Sequence, residues 1–202
     1  MKYIISERQY KLLTEDEDRK ILKLPSVDVF GDWEGLQAYL DKKGNPLFSI
    51  GGDLDYFKLK GITSLDNLVS VEGDVDLRFS DIESLGELKS VGGKLFLPGY
   101  MESIGNIQYV GGDLDLIHSN IKSLGDLRFV GGDMDVYGTE IESLSNLESV
   151  GGYLDLGNTD IKSLGKLKKV GGYLNFKNTP LSQMYSEKEI RRMVDVGGFI
   201  SM

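Results

Sequence analysis

An apolar residue followed by two glycines recurs along the chain, at Ile50, Val91, Val110, Val130, Val150 and Val170, with Val71 a variant in which Glu72 replaces the first glycine. Read in order from Ile50, with Val71 included, the steps are 21, 20, 19, 20, 20 and 20 residues. An eighth copy, Val196-Gly197-Gly198-Phe199-Ile200-Ser201-Met202, arrives 26 residues after Val170. Each copy reads V-G-G-x-L-x-L, then a turn, then I-x-S-L-G-x-L-x-x before the next valine. Leu114 and Leu116 alternate with Asp113 and Asp115, the period-two signature of a strand with leucines inward and aspartates outward. Ile121, Leu124, Leu127 and Val130 follow at steps of three. That spacing suits a return path of tight turns or irregular coil, and leaves open whether it is a second narrow sheet. One coil alone cannot bury these residues; stacked coils bury them against each other. The pattern therefore predicts a repeat solenoid of about eight coils, about twenty residues each, with one parallel β-sheet. Length changes between Leu54 and Ile62 and between Leu95 and Met101 fall in the turn after the strand, where insertions are tolerated.

The ends read as caps. Residues 1–46 form an N-terminal helical cap, 47–183 the repeats, and 184–202 a C-terminal helix and final strand. Ser6 to Gln9 fits a capping box for a first helix. Asp32 caps a second, from Trp33 to about Lys43, stopped by Gly44 and Pro46, with Trp33, Leu36 and Leu40 on its inner face. Ser186 to Glu189 is another capping box, opening a short helix before the last strand. Ile190, Met193 and Val194 share one face of it. In register, Ile190 and Met193 take the places of Leu164 and Leu167.

Composition narrows the chemistry. A chain of 202 residues that is 40% hydrophobic is too apolar for disorder. Its 26 glycines against 4 prolines are periodic, not a linker signature. Without cysteine there is no disulfide, thiolate metal site or cysteine nucleophile. The start, MKYIISERQY, has too short an apolar run for a signal peptide, and no stretch approaches a membrane span. The expectation is a cytoplasmic protein without membrane contact. A net charge of −9 argues against direct binding of nucleic acid.

The segment Leu114-Asp115-Leu116-Ile117-His118-Ser119-Asn120-Ile121, and equally Leu154 to Ile161, resembles the L-x-L-x-x-N-x-L core of leucine-rich repeat proteins, especially short bacterial-type repeats and receptor L-domain coils. The resemblance covers about residues 47 to 202 and implies architecture, not function. At the family's asparagine this chain has Ser80, Ser119, Thr139, Thr159 or Thr179, so a hydroxyl must replace the asparagine ladder. MKYIISERQYKLL further resembles the start of uncharacterised proteins of marine tailed bacteriophages, and SEKEIRRMVDVGGFISM the end of leucine-rich proteins of such phages. That resemblance implies a viral protein of the host cytoplasm or the virion.

Two columns face outward. The first runs Asp53, Asp74, Lys94, Asp113, Asp133, Tyr153, Tyr173, Phe199; the second runs Asp55, Asp76, Phe96, Asp115, Asp135, Asp155, Asn175, Ser201. Nine of these sixteen positions are aspartate, a poor strand former. Unit charges at the ~4.8 Å strand spacing repel by about 1 kcal/mol in water. Three explanations stand. The aspartates are the solvated side of a duplicated repeat. Or they form an acidic face for a protein with a basic surface, with Phe96, Tyr137, Tyr153 and Tyr173 as aromatic contacts; in a phage this would serve host interaction or anti-defence, including imitation of DNA phosphates. Or they bind calcium, since GGDLDL is superficially similar to calcium-binding β-roll repeats; those have a shorter period and a wrapped site, whereas calcium here would meet an open face.

No catalytic constellation emerges. The single histidine, His118, lies in a turn, the repeated serines have no base beside them, and the Gly-Gly pairs precede strands, unlike a phosphate loop. The reading is a noncatalytic binding scaffold without cofactor or metal. A structural or assembly role is the alternative, through self-association of the edge Phe199, Ile200, Ser201 and Met202.

Overall fold

A computed structural model describes residues 21–202; the helix expected at Ser6 lies outside them. The chain winds as a β-solenoid in which every strand pair is parallel and all but one keep register with the coil before. Six regular turns separate Leu54 from Leu174, in steps of 19 to 21 residues. The seventh step, Leu174 to Ile200, is 26 residues. The regular stack is thus shorter than eight coils, because the first and last copies are completed by helical segments.

The strands form two sheets, not the one that the spacing predicts. The first has nine strands: Leu22–Leu24, Phe48–Ile50, Leu68–Val71, Ser90–Val91, Tyr109–Val110, Phe129–Val130, Ser149–Val150, Lys169–Val170 and Asp195–Val196. The second has eight: Leu54–Asp55, Val75–Asp76, Leu95–Phe96, Leu114–Asp115, Met134–Asp135, Leu154–Asp155, Leu174–Asn175 and Ile200–Ser201. The glycine pair bends the chain between them, so valine and leucine of one motif line different walls of the same core. The first outward column, Asp113 for example, sits at this corner and not in a strand.

The glycines are there for contact between coils. A Cβ on Gly92, Gly111, Gly131, Gly151, Gly171 or Gly197 would overlap the carbonyl oxygen of the residue at the same place in the coil before. Glu72, the one copy with a side chain there, belongs to the coil whose strand pairing carries a register shift, between Phe48 and Ser49.

The return path is turns, not a continuous third sheet. Its ladder between coils is reduced to the isolated bridges Ser64–Ser84, Ser103–Ser123 and Ser143–Ser163, with single amide bonds such as Lys162 to Glu142 beside them. Each of these serines accepts from the amide two residues on, at 3.0–3.1 Å. The residue it holds has positive φ, as in Gly125 (53°) and Ser145 (49°). At the turn after the second sheet, Ser80, Thr139, Thr159 and Thr179 donate to the carbonyl three residues back, at 2.7–2.8 Å. The hydroxyl thus closes the turn locally. Ser119 Oγ is buried without a partner.

Helix α1, Trp33–Lys42, starts on Asp32, whose carboxylate accepts from the Gly35 amide at 2.8 Å, and it buries Trp33, Leu36 and Leu40. Helix α2, Pro180–Met184, has no counterpart in the sequence reading. Helix α3, Glu187–Met193, carries the Ser186–Glu189 capping box. Ile190 and Val194 are buried, but Met193 is 47% exposed, which corrects its expected place inside. Val194 lies just past the helix end, where extended backbone turns it inward. No helix among the described residues is long and apolar enough to cross a membrane.

Candidate functional site

The two outward columns lie side by side on the second sheet and its corner. Asp55 pairs with Asp76, Phe96 with Asp115, Asp115 with Asp135 and Asp135 with Asp155. Like charges are therefore stacked at strand spacing, and the geometry shows what holds them.

In the corner column, each aspartate reaches the next coil. Asp53 Oδ1 accepts from the Asp74 amide at 2.8 Å, Asp74 from Lys94 at 2.7 Å, Asp113 from Asp133 at 2.9 Å and Asp133 from Tyr153 at 2.9 Å. The second glycine of each coil makes room: a Cβ on Gly73, Gly93, Gly132 or Gly152 would overlap the aspartate oxygen below it. In the strand column each carboxylate turns back on its own chain. Asp76 Oδ1 accepts from the Arg78 amide at 3.2 Å, Asp115 from Ile117 at 3.1 Å, Asp135 from Tyr137 at 2.9 Å and Asp155 from Gly157 at 2.8 Å. These side-chain turns fix the exit from the strand. Asp55 is the exception. Its Oδ1 is buried without a hydrogen bond, and its Oδ2 lies 3.8 Å from Lys58 Nζ.

Basic groups interrupt the face at its third coil. Lys94 Nζ lies 2.9 Å from Asp113 Oδ2, and this pairing holds the Asp113 carboxyl below its ordinary value. Arg78 pairs with Asp76, lowering that carboxyl too, and its guanidinium sits 4.5 Å over the Phe96 ring. Arg78, Phe96, Asp115 and Ile117 line a shallow groove. Toward the C-terminal end the carboxylates give way to rings. Tyr153 and Tyr173 stack at 5.0 Å and 9°, Tyr173 and Phe199 at 5.1 Å and 6°. Burial, then Asp135 and Asp133, push the Tyr153 phenol up to about 12. Tyr137 stands apart from that stack, edge-on to His118 and receiving the Asn158 amide. Phe199 is 66% exposed, and Ile200 and Ser201 form the last strand of the second sheet with Met202 beyond.

The sequence reading missed three features. Tyr56, Phe57 and Phe79 make a second aromatic cluster, with centroids 4.0 and 5.3 Å apart, at the other end of the face. The one-residue insertion after Leu54 hid it from the alignment. The aspartate-to-amide bonds were also invisible, since their partners are backbone. So was Arg191, which donates to two carbonyls of the last copy. Among the described residues no three His, Asp or Glu side chains form a group able to hold a metal ion.

Asp135 carries the clearest electrostatic cost. Burial pushes its carboxyl above the ordinary value, and Asp155 and Asp115 add to this against the Tyr137 amide. A raised folded-state value means the folded protein binds this proton more tightly than the unfolded chain. The group's contribution to stability then falls as pH rises through the folded pKa and is a cost at neutral pH. Asn175 already occupies this column, accepting from the Lys177 amide at 3.2 Å and donating to Asp155 at 2.8 Å. Asp135→Asn is therefore expected to raise the melting temperature at pH 7 by a few degrees. The gain should vanish below about pH 4, where the carboxyl is protonated in both states. Thermal melts across that range check it; an equal gain at every pH would point to packing instead.

No family model matches the chain, and no curated protein and no solved structure matches it.

Proposed function

We propose that this chain is a noncatalytic binding module of leucine-rich repeat type that holds a protein with a basic surface on its acidic and aromatic face. The observation that carries the reading is the fixing of the aspartates. In both columns, Asp55 excepted, Oδ1 is bonded to backbone, so the second oxygen is aimed with little rotational freedom left to lose. A preorganised acidic array loses little entropy on binding, and rows of like charge attract a basic surface and speed its capture. The Tyr153–Tyr173–Phe199 stack and the Tyr56–Phe57–Phe79 cluster supply apolar contact at either end.

The test uses an arginine-rich peptide as probe, with binding followed by fluorescence anisotropy against salt. Replacing Asp113, Asp115, Asp133 and Asp135 by asparagine keeps the bonded oxygens and removes four charges. Replacing Glu83, Glu102, Glu140 and Glu142 by glutamine, on the return path, makes the same change in net charge. The first variant is expected to weaken binding at least about tenfold and flatten its salt dependence, as for lost charge pairs of roughly 1.4 kcal/mol in sum; the second is expected to change little. Equal behaviour of the two variants would defeat the reading.

A further inference from the structure

From the second coil on, two carbonyls of each coil accept from glycine amides of the next. Gly111 donates to Val91 and Gly131 to Val110, each at 2.8 Å, and Gly197 to Val170 at 2.9 Å. The second glycines repeat this: Gly132 donates to Gly112 at 2.9 Å and Gly198 to Gly172 at 2.8 Å. In the last copy the corresponding acceptors are Val196 and Gly198. Arg191 serves both, Nη1 reaching Val196 O at 3.1 Å and Nη2 reaching Gly198 O at 2.9 Å. Its Nε is held by Glu187 Oε1 at 2.9 Å. A planar guanidinium with a fixed fork of donors suits this task, since it reproduces two amides at once.

We propose that Arg191 is a gatekeeper that stands in for a further coil and keeps a second copy of this chain from pairing with the last strand. Such a strand is a template for addition. Phe199 O and Ser201 O point back, accepting from the Leu174 and Phe176 amides. Strand alternation then turns the amide and carbonyl of Ile200, and the amide of Met202, outward. These groups are self-complementary about a twofold axis. Ile200 of each copy would exchange both bonds with its equal, and Met202 of one would donate to Gly198 O of the other. The opposite end of the stack is not a match. Leu24 pairs with Ile50, so Pro25 stands where other coils have the first glycine, and proline has no amide hydrogen to give. The contact is therefore tail to tail and antiparallel, and it would cover Phe199. By occupying Gly198 O, Arg191 removes one acceptor of that contact and sets a bulky charged group beside it.

Sedimentation velocity across a hundredfold range of concentration tests this. Wild type is expected to stay monomeric. Arg191→Ala is expected to dimerise at least about tenfold more tightly, with slowed amide exchange at Ile200 and Met202. Adding Met202→Pro, which removes one bonded amide, is expected to reverse it. If Arg191→Ala fails to fold, Arg191→Lys is read in the same way, because an ammonium lacks the planar fork that serves both carbonyls. A wild type that already dimerises, a folded Arg191 variant that stays monomeric, or association untouched by Met202→Pro would each overturn the proposal. None of these outcomes bears on the acidic face, whose variants are scored on peptide binding.

Discussion

Gly131→Ala is expected to cost about 3 kcal/mol, the upper end of the usual range for overpacking, and to lower the melting temperature by roughly 6–12 °C. Three observations set that magnitude. The added Cβ would lie 3.0 Å from the Gly111 carbonyl carbon and would overlap its oxygen. The obstacle is backbone, so no side chain can swing away. And Gly111 O belongs to a coil held above and below, as the Gly111 amide bonds to Val91 and the Gly131 amide to Val110. Relief requires two coils to part, and in a solenoid each coil is stabilised mainly by its neighbours. Gly99→Ala is the control. A Cβ there meets nothing within 4 Å, and its φ is not in the left-handed region. That change should stay within about 0.5 kcal/mol. Urea unfolding of both variants decides the matter. Similar small losses would mean that the glycines serve chain flexibility and not close contact between coils.

The same glycines mark where the sequence was legible and where it was not. Hydrophobic spacing shows which residues point inward, and Val130, Met134, Val136, Ile141, Leu144 and Leu147 are all buried as their period demands. It does not show where the chain bends between two inward residues. Val130 therefore read as the end of the return path, although it forms a strand of its own sheet, set apart from Met134 by the bend at Gly131 and Gly132. The turn hydroxyls were legible as a substitution for asparagine, but not their acceptors, since Thr139 bonds locally to Val136 O. Of the three residues expected on the inner face of the last helix, Ile190 and Val194 are buried, whereas Met193, the last residue of α3, turns outward because the extended backbone at Val194 takes the inward place. The stacked column of Tyr153, Tyr173 and Phe199 was legible because register alone brings those rings together. The aspartates were legible as charges only. A carboxylate that accepts from an amide one coil away leaves no trace in residue type at the other end of the bond.

Asp133 separates those two properties. Its Oδ1 accepts from the Tyr153 amide at 2.9 Å, and its own amide donates to Asp113 Oδ1 at 2.9 Å. It is thus the middle of a two-step ladder across three coils. Asp133→Ala leaves the Tyr153 amide without its acceptor and is expected to cost about 2 kcal/mol, as for a bond to a charged group. Asp133→Asn keeps an oxygen in place and is expected to stay within about 0.5 kcal/mol of wild type. Both variants remove the charge that, after burial and Asp135, helps hold the Tyr153 phenol up near about 12. Ultraviolet titration should therefore show that phenol falling in both, while unfolding distinguishes them. Equal losses of stability would mean that charge, and not the accepting oxygen, is what the coil needs. The predicted split has a consequence for binding. The carboxylates that would meet a basic partner also hold successive coils together, so truncating them confounds recognition with folding. Asparagine leaves the rung and takes only the charge, and a loss of binding in that variant belongs to the face itself.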